Sequence, residues 1–113
     1  MHEVAIAAEI MDIVLEKARE HNASKVTRIK LIIGELTSIV PEALDFAFVS
    51  ISAGTPIEGV KIEMKKEKLR GKCGGCGKEF RIKDMMYICP KCKGTDIKVL
   101  SGKEMIIKSI DME

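Results

Sequence analysis

The sequence predicts an α+β fold in which two helices pack on a small three-stranded mixed sheet that carries an inserted cysteine-rich module. The helices are predicted because apolar residues recur every three or four positions in two stretches. The strands are predicted because apolar and polar residues alternate in three others. The module is predicted because all four cysteines fall in two close pairs between the second and third of these strands.

The first helix is expected to run from Val4 to about Glu20, with His21 and Asn22 ending it. Its buried face should consist of apolar residues at helical spacing. These are Val4, Ala7, Ala8, Met11, Val14, Leu15 and Ala18. Alternation from Lys25 then predicts the first strand, which Gly34 ends.

The second helix is expected to begin at Val40-Pro41-Glu42, because proline is favourable in the first turn of a helix. Its apolar stripe should consist of Leu44, Ala47, Phe48 and Ile51, and Gly54 should close it. A second strand at 60–64 and a third at 105–112 complete the predicted sheet. If the first two strands share a sheet, their helical crossover should be right-handed and parallel.

The four cysteines form two Cys-x-x-Cys pairs, Cys73 with Cys76 and Cys89 with Cys92, separated by twelve residues. Two facing turns of this kind bring four thiolates to the corners of a tetrahedron, which is the closed arrangement of a structural Zn²⁺ site. The alternatives are two disulfides or a redox-active dithiol. The sequence favours metal, because neither pair lies in a βαβ context. We therefore predict a four-cysteine zinc ribbon.

Turn-forming residues accompany both cysteine pairs. The glycines of the first turn are suited to positive φ, Pro90 fixes φ in the second turn, and Gly94 should relax it. Phe80 and Ile82 should lead to a turn near Lys83-Asp84, from which 86–88 return, and 97–99 should add a short strand. With so few apolar residues, the ribbon should depend on zinc for its stability. The expected domains are 1–68 plus 103–113, and 69–102.

Composition limits the class of protein. No apolar run approaches the roughly 18 residues of a membrane span, and no signal peptide opens the sequence. Thiols at metal-binding spacing fit a reducing compartment, so we expect a cytoplasmic protein without a membrane partner. No nucleophile has an evident histidine partner, because His2 and His21 are the only histidines. Glu35 and Glu42 are interpreted as surface or capping groups, and we expect no enzymatic activity.

The charge of the chain is unevenly distributed. Its formal net charge is +2, whereas residues 68–93 alone carry +6, or +4 once four thiolates and one Zn²⁺ are counted. These basic residues either offset the thiolates or face an acidic partner or a nucleic acid. A zinc-ribbon module that binds nucleic acid through this face is therefore an alternative function. Against it, only Phe80 and Tyr87 could stack on bases.

His2 is a possible metal ligand. The α-amine of Met1, the backbone nitrogen and imidazole of His2, and the carboxylate or backbone of Glu3 are close enough in sequence to share one ion. Such a planar set of nitrogen and oxygen donors suits Ni²⁺ or Cu²⁺. On spacing alone the metal site is a weak prediction, because a histidine at position 2 usually has no role and a glutamate at this position more often caps a helix N-terminus.

The motifs, taken together, resemble the HypA/HybF family of hydrogenase maturation factors. The resemblance covers the whole chain, and its motifs occur in the family's order. They are Met1-His2-Glu3, Ile13-Val14, Ile33-Gly34-Glu35-Leu36, Val40-Pro41-Glu42-Ala43-Leu44, Phe46-Ala47-Phe48, Thr55, Glu58-Gly59, the paired cysteine motifs and Gly102.

This resemblance implies a nickel metallochaperone that delivers Ni²⁺ to the precursor of the [NiFe]-hydrogenase large subunit. It implies that the maturation GTPase HypB is a partner. It also implies that, in some organisms, the same proteins act in the maturation of urease. It assigns Ni²⁺ to His2, assisted by the Met1 amine and Glu3, and structural Zn²⁺ to Cys73, Cys76, Cys89 and Cys92.

The segment 1–68 plus 103–113 then becomes the nickel-binding domain, and 69–102 the zinc-ribbon domain. Some family members have a further histidine near the ribbon, which this sequence lacks. The nickel ligands are therefore expected to come from the N-terminus or from a partner. We expect a monomer or a homodimer that does not bind nucleic acid; a purely structural adaptor is a further alternative.

Overall fold

The computed structural model describes residues 3–113. Its elements, in chain order, are α1 (Glu3–Glu20), β1 (Val26–Gly34), a 3-10 helix (Glu35–Thr37), α2 (Pro41–Ser52), β2 (Lys61–Glu67), β3 (Arg70–Cys73), β4 (Glu79–Arg81), β5 (Ile97–Ser101) and β6 (Met105–Met112). This order confirms the α+β fold with its inserted ribbon. Within residues 3–113, no helix combines the length and apolar composition that membrane crossing requires.

The strands form two three-stranded sheets, ordered β2-β1-β6 and β4-β3-β5. β1 and β6 run antiparallel, because the start of β1 is hydrogen-bonded near the end of β6, and the end of β1 near the start of β6. The N–H of Glu113 donates to the carbonyl of Lys25 at 2.8 Å, and the N–H of Gly34 donates to that of Glu104 at 3.2 Å. β2 adjoins β1, as predicted, and the parallel direction of this pair stays a prediction.

The buried face of α1 differs in part from the predicted one. Ala7, Met11, Val14 and Ala18 are buried, as predicted. Val4 and Ala8 are exposed, however, and Ile10, which the pattern did not include, is 1% exposed. Apolar residues flank the buried stripe of this helix on both sides, so spacing alone does not decide which flank faces the core.

The second helix begins and packs largely as predicted. Pro41 is in its first turn, and Leu44, Ala47 and Phe48 are buried. Ile51 is half-buried, and the polar residue Ser52 is buried in its place. The Ser52 hydroxyl donates to the carbonyl of Val49 at 3.4 Å, and this bond satisfies a polar group that would otherwise be costly to bury.

The chain divides into two compact units. The first comprises the described residues up to Ile32, together with Ile39–Lys65 and Ile106–Glu113. The second comprises Ile33–Ser38 and Lys66–Met105, and it holds the sheet β4-β3-β5. The second unit has its own small core, in which Leu69, Phe80 and Ile82 are buried together with two cysteines.

Candidate metal centre

The first cysteine pair lies in the turn that joins β3 to β4. These strands are antiparallel, with Gly71 opposite Phe80, and β3 ends at Cys73. The N–H of Cys73 donates to the carbonyl of Lys78, and the N–H of Gly77 donates to the carbonyl of Cys73, both at 2.9 Å. Gly77 has φ +78°, a left-handed conformation that glycine adopts without steric cost. This turn aims both sulfurs towards the same point.

The second cysteine pair repeats this pattern of hydrogen bonds. The N–H of Cys89 donates to the carbonyl of Gly94, and the N–H of Lys93 donates to the carbonyl of Cys89, again at 2.9 Å. The left-handed residue is Lys93, with φ +64°, whereas the sequence predicted that Gly94 would relax the turn. That prediction is wrong, because the residue that corresponds to Gly77 is Lys93.

Glycine is needed at position 94 for a different reason, because a side chain there would occupy the space beside the cysteine sulfurs. A Cβ at this position would lie 3.2 Å from Sγ of Cys92 and 3.7 Å from Sγ of Cys73. The first distance is shorter than ordinary van der Waals contact, so a side chain here would crowd a ligand atom.

The four sulfurs form one cluster. Sγ of Cys73 lies 3.5 Å from Sγ of Cys92, and Sγ of Cys76 lies 3.5 Å from Sγ of Cys89. All four atoms lie within 4.8 Å of one another. A tetrahedral Zn²⁺ with bonds of about 2.3 Å requires sulfurs about 3.8 Å apart, so the donor set fits this ion. The cysteines are free thiols, since a disulfide would need about 2 Å.

The cluster is buried on one side and open on the other. Cys73 and Cys89 are 2% and 0% exposed and belong to the small core of the second unit, whereas Cys76 and Cys92 are exposed. The core therefore fixes one ligand of each pair, and the turns supply the other.

The backbone of the turns stabilises thiolates at the two buried positions. Hydrogen bonds from the N–H groups of Cys76 and Gly75 lower the pKa of Cys73. The N–H of Cys92, 3.5 Å from Sγ of Cys89, is the main cause that lowers the pKa of Cys89, to about 6. Thiolate is the form that coordinates metal, so the lowered pKa values favour the metal-binding form at both positions.

In contrast to Cys73 and Cys89, Cys92 has a raised pKa when no metal is bound. The N–H of Gly94 lowers its pKa, but hydrogen bonds with the Cys73, Cys89 and Cys76 sulfurs outweigh this, and burial also contributes, so the pKa rises to about 11. A further negative charge this close to the other sulfurs is unfavourable, so Cys92 retains its proton until a cation neutralises the cluster. Metal binding at neutral pH must displace the proton of Cys92.

Glu35 joins separate segments of the second unit. Its carboxylate accepts a hydrogen bond from the N–H of Leu69 at 3.0 Å and one from Arg81 at 2.8 Å. The Leu69 N–H, followed by Arg81, lowers the pKa of Glu35. The interpretation as a surface or capping group missed these contacts, because both partners are distant in sequence.

Met1 and His2, the predicted nickel-binding residues, lie outside the described residues. The next residue, Glu3, begins α1. Its Oε2 accepts a hydrogen bond of 3.2 Å from the N–H of Val40, the residue that precedes α2. The other histidine, His21, is exposed at the far end of α1, with Nδ1 2.9 Å from the carbonyl oxygen of Lys17. This contact gives His21 a local structural role.

Comparisons with known proteins agree along the whole chain. The family model described as "Hydrogenase/urease nickel incorporation, metallochaperone, hypA" matches residues 1–112. Hydrogenase maturation factor HypA of Chlorobium limicola is 38% identical over 113 residues, which are 100% of this chain and 97% of the relative. That of Aquifex aeolicus is 35% identical over 113 residues, covering 100% and 98% of the two chains.

Solved structures share the fold. The solution structure of the Ni metallochaperone HypA from Helicobacter pylori matches with a TM-score of 0.72 at 23% identity, over 99% of this chain and 97% of that one. A second solution structure of a HypA protein matches with a TM-score of 0.76 at 23% identity, over 100% and 97%. The inserted ribbon is therefore part of the shared architecture.

Proposed function

The chain belongs to the HypA family of metallochaperones for nickel incorporation, and we propose that it binds Ni²⁺ at its N-terminus and delivers it to a [NiFe]-hydrogenase precursor. The observation that carries this proposal is the family match over residues 1–112, which includes the Met1-His2-Glu3 motif. A metallochaperone transfers its ion without changing it chemically, so the chain acts as a carrier and not as an enzyme.

In this proposal, the resident ion of the ribbon is Zn²⁺, held by Cys73, Cys76, Cys89 and Cys92. The separations of the four sulfurs, 3.5 Å in two pairs and no more than 4.8 Å in any, support this assignment. Four thiolates leave no open coordination position, so Zn²⁺ here stabilises structure and takes no part in transfer.

Ni²⁺ is the cargo, and its ligands are the α-amine of Met1, the backbone nitrogen and imidazole of His2, and Glu3. Nitrogen donors in a planar arrangement suit Ni²⁺. The hydrogen bond from Val40 to Oε2 of Glu3 supports the backbone of Glu3, rather than its carboxylate, as the fourth donor. With few donors at the end of a chain, the ion is exchangeable, as delivery requires.

The recipient is the large-subunit precursor of [NiFe]-hydrogenase, and the GTPase HypB is the partner that acts with this protein. Hydrogenase maturation factors at 38% and 35% identity support this assignment. We assign the protein to the cytoplasm, where thiols stay reduced and available to zinc.

Calorimetric titration of Ni²⁺ into the zinc-loaded protein, with Met1 as its first residue, tests the nickel site. We expect His2→Ala to lose nickel binding by at least about 100-fold, with its zinc content and circular dichroism unchanged. The matched control is His21→Ala, which removes the other histidine and should bind nickel as the parent does. Since imidazole must be neutral to coordinate, affinity should fall as the pH drops below about 6.5.

Two outcomes decide the ligand set. Equal nickel affinity in the parent and in His2→Ala would refute the N-terminal site. Glu3→Gln should retain nickel binding within about threefold if the Glu3 backbone is the donor, since this change keeps the backbone nitrogen. A larger loss would make the carboxylate the ligand.

A further inference from the structure

Two clefts flank one exposed segment of the second unit, Lys83–Met86, which we call the methionine tip. Met85 lines one cleft, of about 430 Å³, and Met86 lines the other, of about 300 Å³. The first is also lined by Leu36, Leu69 and Ile82, and the second by Phe80, Ile88 and Pro90. Each cleft therefore has an apolar wall and one methionine at its mouth.

The methionine tip exposes apolar side chains that the core of the unit does not use. Met85 and Met86 are 62% and 58% exposed, and Ile88, just beyond the tip, is 42% exposed. Residues 86–88, which were expected to return after the predicted turn, form no strand. The chain turns by a bond of 2.9 Å from the N–H of Met86 to the carbonyl of Lys83.

The backbone of the methionine tip is held in an uncommon conformation. Asp84 and Met85 are consecutive non-glycine residues with φ of +53° and +59°. Each such residue costs free energy relative to a right-handed one, by about 1–2 kcal/mol. Strained backbone of this kind clusters at functional sites, so this turn is a candidate for one.

The rim of the second cleft is basic, whereas basic and acidic residues balance in the first. Arg81 and Lys83 line both of them, and Lys93 lines the second. The acidic residues of the clefts are Glu35, which is paired with Arg81 at 2.8 Å, and Asp84. The surrounding sequence, 68–93, carries a formal +6 before zinc and thiolates are counted. An acidic ligand is therefore favoured at the second cleft, whose lining carries three basic residues and one acidic residue.

The aromatic residues of the ribbon argue against nucleic acid as that ligand. Phe80 is 9% exposed in the core, and Tyr87 is half-buried against it. Neither offers the open ring face on which an unpaired base stacks. The exposed side chains are methionine and isoleucine, and methionine adapts to apolar side chains of varied shape. These are properties of a surface that binds protein segments.

We propose that the methionine tip and its clefts are a docking surface for an acidic segment of a partner protein, an amphipathic helix with apolar residues on one side. The apolar side chains enter the clefts beside Met85 and Met86, and the carboxylates face Lys83 and Lys93 at the second cleft. This proposal goes beyond nickel binding and does not depend on His2.

Fluorescence polarisation of the zinc-loaded, full-length protein tests it. The probe is a labelled peptide of about 18 residues, with leucines on one helical face and glutamates elsewhere. Three comparison probes are a scrambled peptide of the same composition, the same pattern with lysine for glutamate, and an oligothymidylate.

The protein variants test the clefts themselves. Met85→Glu/Met86→Glu places carboxylates at the mouths of both clefts. Leu100→Glu is the matched control, since Leu100 is 45% exposed and lines neither cleft.

The proposal predicts that only the acidic peptide binds saturably, and that salt weakens this binding. The affinity should fall at least about tenfold in the double variant and stay unchanged in Leu100→Glu. The His2→Ala protein should bind the peptide normally, which separates this proposal from the nickel site. Absence of binding, equal binding of the scrambled peptide, or tighter binding of the oligothymidylate would overturn it. So would self-association that the double variant abolishes, because the surface would then serve a second copy of this chain.

Discussion

Gly77 and Lys93 are at corresponding positions in the two metal-binding turns, yet only one of them is glycine. Both have positive φ, of 78° and 64°. A left-handed lysine costs about 1–2 kcal/mol. In the proposed structural site, Zn²⁺ binding would contribute roughly 10–16 kcal/mol, which exceeds this cost. The cluster, and not the local preference of each residue, determines the conformation of the turns.

Gly77→Ala should weaken zinc binding about fivefold, which corresponds to about 1 kcal/mol of backbone strain. A Cβ at Gly77 meets no atom within 4 Å, so the effect is purely conformational. Gly75→Ala is the control, because its Cβ would only touch Sγ of Cys73 at 3.7 Å. Competition with a chromophoric chelator measures both affinities, and equal weakening by the two substitutions would contradict this account.

The hydrogen bonds of Glu35 could not be predicted from the sequence, because they join residues that are far apart along the chain. Its hydrogen-bond partners Leu69 and Arg81 are 34 and 46 positions away. A glutamate directly after a strand fits a capping or surface role, and no local pattern distinguishes it from one that joins distant segments. The cysteines were predictable because their chemistry and their spacing both point to metal.

At the scale of elements, helices and strands were predictable wherever apolar residues keep a clear period. The bounds of β1 and α2 follow from alternation and from Pro41. The choice between Ile10 and Val4 in α1 was not predictable, because apolar residues flank the buried stripe on both sides. Tertiary packing decides that choice.

Leu44→Ala should destabilise the first unit by about 2–5 kcal/mol, because Leu44 is 0% exposed and its loss leaves a cavity. Val49→Ala, in the same helix, removes a side chain that is 67% exposed and should change stability by less than about 0.5 kcal/mol. Urea denaturation followed by circular dichroism gives both values. Similar losses in the two variants would show that α2 is not packed through Leu44.

Removal of zinc should unfold the ribbon and leave the helices folded. The core of the second unit has only Leu69, Phe80 and Ile82 as buried apolar side chains besides the cysteines, too few to offset the entropy of ordering the ribbon. We expect a strong chelator to collapse the amide dispersion of residues 69–102 in NMR spectra. The amides of α1 and α2 should keep their dispersion, and a ribbon that stays folded without metal would contradict the prediction.

At the scale of the whole molecule, the order of motifs was the most informative feature of the sequence. Neither a histidine at position 2 nor a pair of cysteine motifs identifies a family alone. Their succession along the chain led to the resemblance that the family match over residues 1–112 confirmed. The clefts beside the methionine tip were not predictable, because they depend on which apolar residues the small core leaves exposed.

In the proposed function, one chain holds two divalent ions with different purposes, Zn²⁺ for structure and Ni²⁺ for delivery. The most direct test is metal analysis of the protein beginning at Met1, after equilibration with both ions at neutral pH and removal of the unbound excess. The account predicts one zinc and one nickel per chain, and loss of nickel alone when a residue added before Met1 blocks the α-amine. A protein that retains zinc but no nickel, with its N-terminus unextended, would contradict it.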